Sequence, residues 1–219
     1  MPISRRERPA KPALTRAGII ATAVEVLRAE GLEKVTMRRL AQELDTGAAS
    51  LYVYVRNTAE LHAAVLDELL GEVDLTVAGG WRARVTGILE SYTAVLLRYP
   101  SLARSALVSW PTGEHFLTVV ESLLAALDDG LVPAGQAAWG VDLLLLHATA
   151  TAVEHGTRRE SLDRDDEWEA LSTAVQGVSP ERFPHLASLR TEMLSGAGGG
   201  RMTWGFDVLI NGIVHTSVP

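Results

Sequence analysis

The sequence predicts an all-α fold in two parts: an N-terminal unit of three helices that contains a helix-turn-helix, and a larger helical C-terminal domain. Apolar residues recur at helical spacing along most of the 219 residues, without strand-like alternation of useful length. Glycine, proline and charged breaks divide the helical segments. We expect a flexible basic arm over residues 1–13, the helix-turn-helix unit over 14–60 and the C-terminal domain over 61–219.

The first helix is predicted for residues 15–30, because apolar residues from Ile19 to Leu27 share one face. Gly31 follows and can end that helix in the left-handed conformation. The prolines and arginines before Leu14 predict the flexible arm.

Two short helices are predicted next, at residues 37–44 and 47–55. Thr36 is placed to cap the first of them by accepting from a free amide of its first turn. Asn57, with Glu60 three residues later, is typical of the capping box of a longer helix, which we expect to reach about residue 77. Two short helices joined by a tight turn form the helix-turn-helix plan.

The C-terminal part consists of helical segments separated by explicit breaks. The predicted helices are 81–98, 101–109, 113–127, 134–155, 180–195 and 201–216. The predicted breaks are Tyr99-Pro100, Trp110-Pro111, residues 128–130, the charged stretch 157–169 and the glycine-rich stretch 196–200.

Composition limits the classes of function. The chain has no cysteine, so it has no disulfide and no thiolate metal site, as is usual in a reducing cytoplasm. Its longest apolar run, residues 141–153, is interrupted by Asp142 and His147 and is too short to span a bilayer. We therefore expect a cytoplasmic protein that does not bind a membrane.

The net charge of −7 conceals an uneven distribution. Residues 1–58 contain ten Lys and Arg against six Asp and Glu, whereas the rest of the chain contains ten against 21. A basic head on an acidic body is expected where only the head meets a polyanion such as DNA. A chance fluctuation of charge is the simpler alternative.

The segments TMRRLA at 36–41, AASLY at 48–52 and YVRN at 54–57 closely resemble the DNA-binding signature of the TetR family. The similarity covers roughly residues 14–70. A second stretch, from FPHL at 183–186 to WGFDVLINGI at 204–213, resembles the C-terminal domain of the tetracycline-repressor branch. The resemblance implies a homodimeric regulator, in most cases a repressor, that releases operator DNA when a small molecule binds.

Two positions depart from the family pattern. The turn between the short helices has Asp45 where a glycine is usual, and aspartate tolerates a positive φ better than most residues. Ala106 stands where tetracycline-binding members have a magnesium-binding histidine, so we expect no tetracycline-magnesium effector, no metal and no cofactor.

The resemblance assigns DNA contacts to the two short helices and their flanks. Arg38 is the candidate for reading guanine through a bidentate hydrogen bond, whereas Arg39 can equally contact only phosphate. Tyr52 and Tyr54 can contact the backbone or pack in the core. The complete set is Thr36, Met37, Arg38, Gly47, Ala48, Ala49, Ser50, Tyr52, Tyr54 and Thr58.

The C-terminal domain is expected to bind the effector and the second protomer. His147 shares a predicted helix face with Leu143 and Thr151, although a lone histidine there is more often part of the core. The effector candidates are Tyr92, Leu107, Trp110, Phe116, Leu143, His147 and Thr151; the expected effector is largely apolar. The dimer candidates, on one stripe of the last helix, are Phe206, Leu209, Ile210 and Ile213.

Two other classes of protein compete with this interpretation. An enzyme would be a small helical hydrolase or a histidine metal protein, but the pairs Glu114-His115 and Glu154-His155 form neither a His-Glu-x-x-His motif nor a serine elbow. A ligand-binding adaptor that had lost DNA binding would not need the intact residues 36–58. We therefore predict no catalytic residues.

Overall fold

The computed structural model describes residues 13–108, 112–160, 164–196 and 198–219. Those residues form α-helices and turns without any strand, which confirms the predicted all-α fold. The chain divides into two compact units, the first ending at Glu68 and the second beginning at Leu69. Among the described helices, none is long and apolar enough to cross a membrane.

The first unit contains three helices and most of a fourth. They are α1 (Arg16–Glu30), α2 (Met37–Glu43), α3 (Ala48–Leu51) and α4 (Thr58–Leu70), with a 3₁₀ turn at Leu32–Lys34. The apolar side chains of Ile19, Leu40, Leu51, Val55 and Leu61 are fully buried. Because these residues come from every part of the unit, they form one shared core.

Local capping explains where the helices of the first unit begin and end. The Thr15 hydroxyl accepts a hydrogen bond from the Gly18 amide at 3.0 Å, and the Thr36 hydroxyl accepts one from the Arg39 amide at 3.2 Å. Gly31 ends α1 as predicted, but with φ +88° and ψ 168° it is extended rather than in the predicted left-handed helical conformation; side chains rarely adopt this positive φ.

The second unit contains the end of α4 and the remaining helices. They are α5 (Trp81–Arg98), α6 (Pro100–Val108), α7 (Glu114–Asp129), α8 (Ala134–Glu160), α9 (Arg164–Gln176), α10 (Pro184–Ser188), α11 (Arg190–Leu194) and α12 (Gly198–His215). Helices α5 and α8 are central, since α6, α7 and α12 all pack against α8 and α7 also packs against α5.

Several predicted boundaries in the second unit were wrong. The charged stretch 157–169 is helical on both sides of residues 161–163, which lie outside the described residues, because α8 continues to Glu160 and α9 begins at Arg164. Charged residues are good helix formers when solvated, and Glu154 pairs with Arg158 one turn later at 2.9 Å. The segment predicted as one helix over 180–195 is two short helices that meet at Leu189.

Helix α4 ends at Leu70 rather than near residue 77. The Asp74 carboxylate accepts hydrogen bonds from the amide and the hydroxyl of Thr76, at 2.8 and 2.7 Å. An aspartate that bonds the backbone two residues later forms a turn instead of a helix. The Asp74 amide in turn donates to the Ser91 hydroxyl on α5 at 2.8 Å, which fixes the linker to that helix.

Candidate functional site

The turn of the helix-turn-helix is built as the sequence predicted. Asp45 has φ +48°, the left-handed conformation that its position requires. The Thr46 amide donates to the Ala41 carbonyl at 2.8 Å and closes the turn. Leu51 and Val55 are both fully buried, so α3 and the turn after it are anchored from the inside and their other side chains face outward.

The two arginines of α2 have different environments. Arg39 is bound by Glu30 at 2.6 Å and by Glu43 at 2.7 Å, and its hydrogen bond lowers the pKa of the Glu30 carboxyl. Arg38 is exposed, and its side chain has no hydrogen bond or ion pair with any residue that the structure describes. Arg38 is therefore available to a ligand, while Arg39 stabilises the unit.

Most predicted DNA-contacting residues on and around α3 lie at the surface. Gly47, Ala49, Ser50, Tyr52 and Tyr54 are exposed and Ala48 is half-buried. Met37 differs, because it is only 5% exposed and its side chain belongs to the core; we therefore remove it from the contact set. Sequence reasoning missed Val53, an apolar residue between two tyrosines that is 81% exposed.

Thr36 and Thr58 are exposed at the starts of α2 and α4. The Asn57 side chain caps α4 by accepting from the Glu60 amide at 2.8 Å. The other half of the predicted capping box is displaced by one residue, because the Glu60 carboxylate accepts from the Arg56 amide at 2.9 Å. The hydrogen bonds from the Arg56 amide and side chain lower the pKa of Glu60, and together with the Asn57 cap they fix the start of α4 after the recognition segment.

The predicted effector residues on α5 to α7 lie in different environments. Tyr92 is 2% exposed, and its hydroxyl is 2.9 Å from the Thr149 hydroxyl on α8. Burial raises the pKa of Tyr92, although the bond to Thr149 opposes the shift. Phe116 is half-buried and Leu107 is 41% exposed, whereas Trp110 lies outside the described residues.

The predicted face of Leu143, His147 and Thr151 is directed partly toward α12. The His147 ring packs edge-on against Phe206, with 5.5 Å between ring centroids. Its Nε2 atom is buried and has no partner among the described residues. Leu143 is 44% exposed, so it lies at the surface of the chain, and Thr151 is half-buried.

The last helix has an inner and an outer stripe. Phe206 and Ile210 are fully buried within the chain's own core and Ile213 is 7% exposed, so of the four dimer candidates only the half-buried Leu209 remains available to a partner. This corrects the choice of residues: helical periodicity identified the apolar stripe but not the neighbour that covers it. The large apolar side chains left exposed on α8 and α12 are Trp139, Leu143, Leu146, Trp204 and Val208.

A groove of about 920 Å³ runs along this outer face. It is lined mainly by apolar groups of α8, α12 and residues 216–219, including Trp139, Leu143, Val208 and Gly212. The two helices approach closely because Gly140 lies against Ile213, where an added Cβ would come within 2.8 Å of Cγ2. Across the described part of the chain, no cluster of three or more His, Asp or Glu residues could hold a metal.

Comparisons with known proteins agree with these features. Residues 19–65 match the family described as "Bacterial regulatory proteins, tetR family", and residues 75–216 match "Tetracyclin repressor-like, C-terminal domain". The transcriptional repressor DrrR1 of Streptomyces coeruleorubidus is 30% identical, over 94% of this chain and 82% of that protein.

Two solved structures from Streptomyces coelicolor have the same fold over nearly their whole length. The transcription regulator SCO7704 is 55% identical with a TM-score of 0.80, covering 95% of this chain and 98% of that one. The TetR family protein ActR in complex with actinorhodin is 33% identical with a TM-score of 0.81, covering 92% and 96%. The chain belongs to the TetR family and is a ligand-responsive DNA-binding repressor rather than an enzyme.

Proposed function

We propose that the exposed side of α2 and α3 reads the operator in the major groove. The observation that carries the proposal is the exposed Arg38, which has no partner among the described residues while Arg39 beside it is held by two carboxylates. A free guanidinium can donate two hydrogen bonds to guanine. Ser50 is the polar and Ala49 the apolar contact on α3, with Ala48 and Gly47 permitting close approach.

We further propose that Thr36, Thr58, Tyr52 and Tyr54 contact the phosphate backbone and set the register of the protein on DNA. Their exposed hydroxyls at the edges of the helix-turn-helix support this assignment. Val53 joins the set, because an 81% exposed apolar side chain between two tyrosines is available to a sugar or a thymine methyl. Because the proposed target is operator DNA, we infer that the protein acts in the cytoplasm.

The dimer is proposed to form through the outer face of α8 and α12. Trp139, Leu143, Trp204 and Val208 are all more than 40% exposed on these two helices, and exposed apolar patches of this kind mark interaction surfaces. An isologous contact would bury the same patch on both protomers. Two copies also give the two recognition segments that a half-site pair needs.

The effector is proposed to be a largely apolar small molecule that binds among α5 to α8. The set comprises Tyr92, Leu107, Trp110, Phe116, His147 and Thr151. The Tyr92–Thr149 pair, between α5 and α8, supplies polar atoms among buried apolar side chains, the composition usual for a ligand site. The His147 Nε2 atom, which has no partner among the described residues, adds a polar atom where α8 meets α12. Because ActR binds actinorhodin, that compound is the first probe to try.

The test measures how the full-length chain binds DNA and a small molecule. Wild-type protein first selects a duplex from a random pool, and fluorescence anisotropy then measures its affinity at several salt concentrations. We expect a palindromic site, two protomers per duplex and an affinity that falls as salt rises. Actinorhodin should release the duplex, and DNA should weaken actinorhodin binding by the same factor. Failure to enrich any sequence would contradict operator reading, and compound binding without release would contradict the proposed effector site.

A further inference from the structure

A histidine on α4 forms a hydrogen bond with the residue that precedes the helix-turn-helix. The Nε2 atom of His62 lies 3.2 Å from the carbonyl oxygen of Val35, in a partly buried position 27 residues earlier in the chain. Val35 immediately precedes Thr36, the residue that caps α2. The bond therefore joins the helix that leaves the first unit to the peptide from which α2 starts.

The hydrogen bond between His62 and Val35 has a defined donor and a defined acceptor. A carbonyl oxygen can only accept, so the Nε2 atom of His62 carries the proton and donates. No backbone amide donates to the Val35 carbonyl among the residues that the structure describes, and the Val35 side chain is fully buried. Loss of the imidazole would leave this carbonyl without its donor, which is costly for a group withdrawn from water.

Other contacts of α4 in the first unit are apolar or join it to neighbouring segments; the hydrogen bonds of Glu60 and Asn57 tie α4 to residues 56–57 just before it. Leu61 and Val65 are fully buried, but apolar packing has no preferred direction and permits small rotations. The Glu60 carboxylate is 3.9 Å from the Arg16 guanidinium, and both side chains are partly exposed, so this ion pair is weak. The bond of His62 is directional and joins α4 to the peptide before α2, so it can fix how α4 is rotated against the start of α2.

Residues on either side of the contact connect it to both functions. Thr36 follows Val35 and caps the Arg39 amide at 3.2 Å, and Arg38 is exposed on the same first turn of α2. In the other direction, α4 continues to Leu70, which belongs to the second unit. A displacement of α4 would consequently move the peptide that orients Arg38.

We propose that His62 is a positioning residue for operator binding, which acts by holding the Val35 carbonyl and so orients α2. The inference rests on the proposed reading role of α2. His62 itself does not contact DNA. Its effect should appear in sequence-specific affinity, because non-specific affinity depends on exposed charges that the substitution leaves in place.

The test compares two variants of the full chain. His62→Leu removes the donor, whereas His62→Gln places an amide nitrogen near the position of Nε2. Anisotropy measures each against the duplex selected by the wild type and against a random duplex. We expect His62→Leu to lose roughly three- to tenfold on the selected duplex only, the factor expected for one hydrogen bond. His62→Gln should stay within about twofold of the wild type, because it restores a single hydrogen bond.

Three results would overturn the inference: unchanged affinity in His62→Leu, equal loss in both variants, or equal loss on both duplexes. If His62→Leu does not fold, His62→Asn replaces it, because its amide is too short to reach Val35 and the side chain remains polar.

Hydrogen exchange gives a second readout, in which the amides of residues 36–40 should exchange faster in the variant while those of residues 19–27 are unchanged. A loss in His62→Leu together with unaltered base preference in Arg38→Ala would retain His62 but reject Arg38 as the reader.

Discussion

The start of α2 and α3 in the first unit and the outer face of α8 and α12 in the second expose different kinds of side chain. The first unit buries Leu40, Leu51 and Val55 and leaves Arg38 and Ser50 at its surface. The outer face of α8 and α12 in the second unit instead exposes large apolar side chains, including Trp139 and Trp204. A charged and polar surface suits a polyanion, whereas an apolar one suits another protein surface. The contrast indicates that the two units bind different kinds of macromolecule.

The first comparison places an aspartate on the inner or on the outer stripe of α12. The inner substitution should lower stability more than any other change considered. Ile210 is fully buried, whereas Val208, two residues earlier, is 46% exposed. Ile210→Asp should lower the free energy of unfolding by about 4 kcal/mol or more, because it buries an unpaired carboxylate. Val208→Asp should fold normally but sediment as a monomer. Urea unfolding and sedimentation velocity make the comparison; a dimeric Val208→Asp would place the interface elsewhere.

A second pair separates core from surface at the end of α3. Leu51 is fully buried and Tyr52 is 51% exposed. Leu51→Ala should cost roughly 2–5 kcal/mol of stability by leaving a cavity. Tyr52→Phe should change stability by less than about 0.5 kcal/mol and weaken binding of all duplexes by about 1 kcal/mol through one lost phosphate contact. Thermal melts and anisotropy measure both; an operator-specific loss in Tyr52→Phe would indicate base reading instead.

A third pair examines how closely α8 and α12 approach. A Cβ added at Gly205 would lie 2.6 Å from the His147 Nε2 atom, whereas one added at Gly200 meets nothing within 4 Å. Gly205→Ala should destabilise the protein by roughly 1–3 kcal/mol through overpacking. Gly200→Ala should stabilise it by up to about 1 kcal/mol, because alanine favours a helix more than glycine. Equal melting temperatures for the two variants would contradict the close packing of His147.

The smallest effect is a pH dependence in the first unit. The hydrogen bond from Arg39 lowers the pKa of Glu30 below its usual value of 4.5. Because the folded pKa is the lower one, the contribution of this pair is present above pH 4.5 and is lost as the pH falls through the folded value. Glu30→Gln should therefore lower the free energy of unfolding slightly at neutral pH. Because this variant has no carboxylate at residue 30, its free energy of unfolding should fall less than that of the wild type as the pH is lowered. Glu33→Gln is the control, and identical pH profiles for both would contradict the assignment.

Local features were predictable from sequence, while the partners of each helix were not. The cap at Thr36, the positive φ of Gly31 and the left-handed Asp45 all follow from residue types within a few positions. The inner stripe of α12 was mistaken for the interface because periodicity shows that Phe206 is apolar but not that α8 already covers it. The His62–Val35 bond joins residues 27 positions apart, a distance over which no local pattern exists.

The central claim is that the exposed Arg38 reads a base in each half-site, and its base preference tests this most directly. Wild-type protein, Arg38→Ala and Arg39→Ala would each select duplexes from the same random pool, followed by sequencing. Arg38→Ala should lose the preference for guanine at one position of each half-site, with a loss of roughly 1–3 kcal/mol on the wild-type operator. Arg39→Ala should select the same DNA sequence as the wild-type protein. Unchanged base preference in Arg38→Ala, or the same relaxation in Arg39→Ala, would contradict the claim.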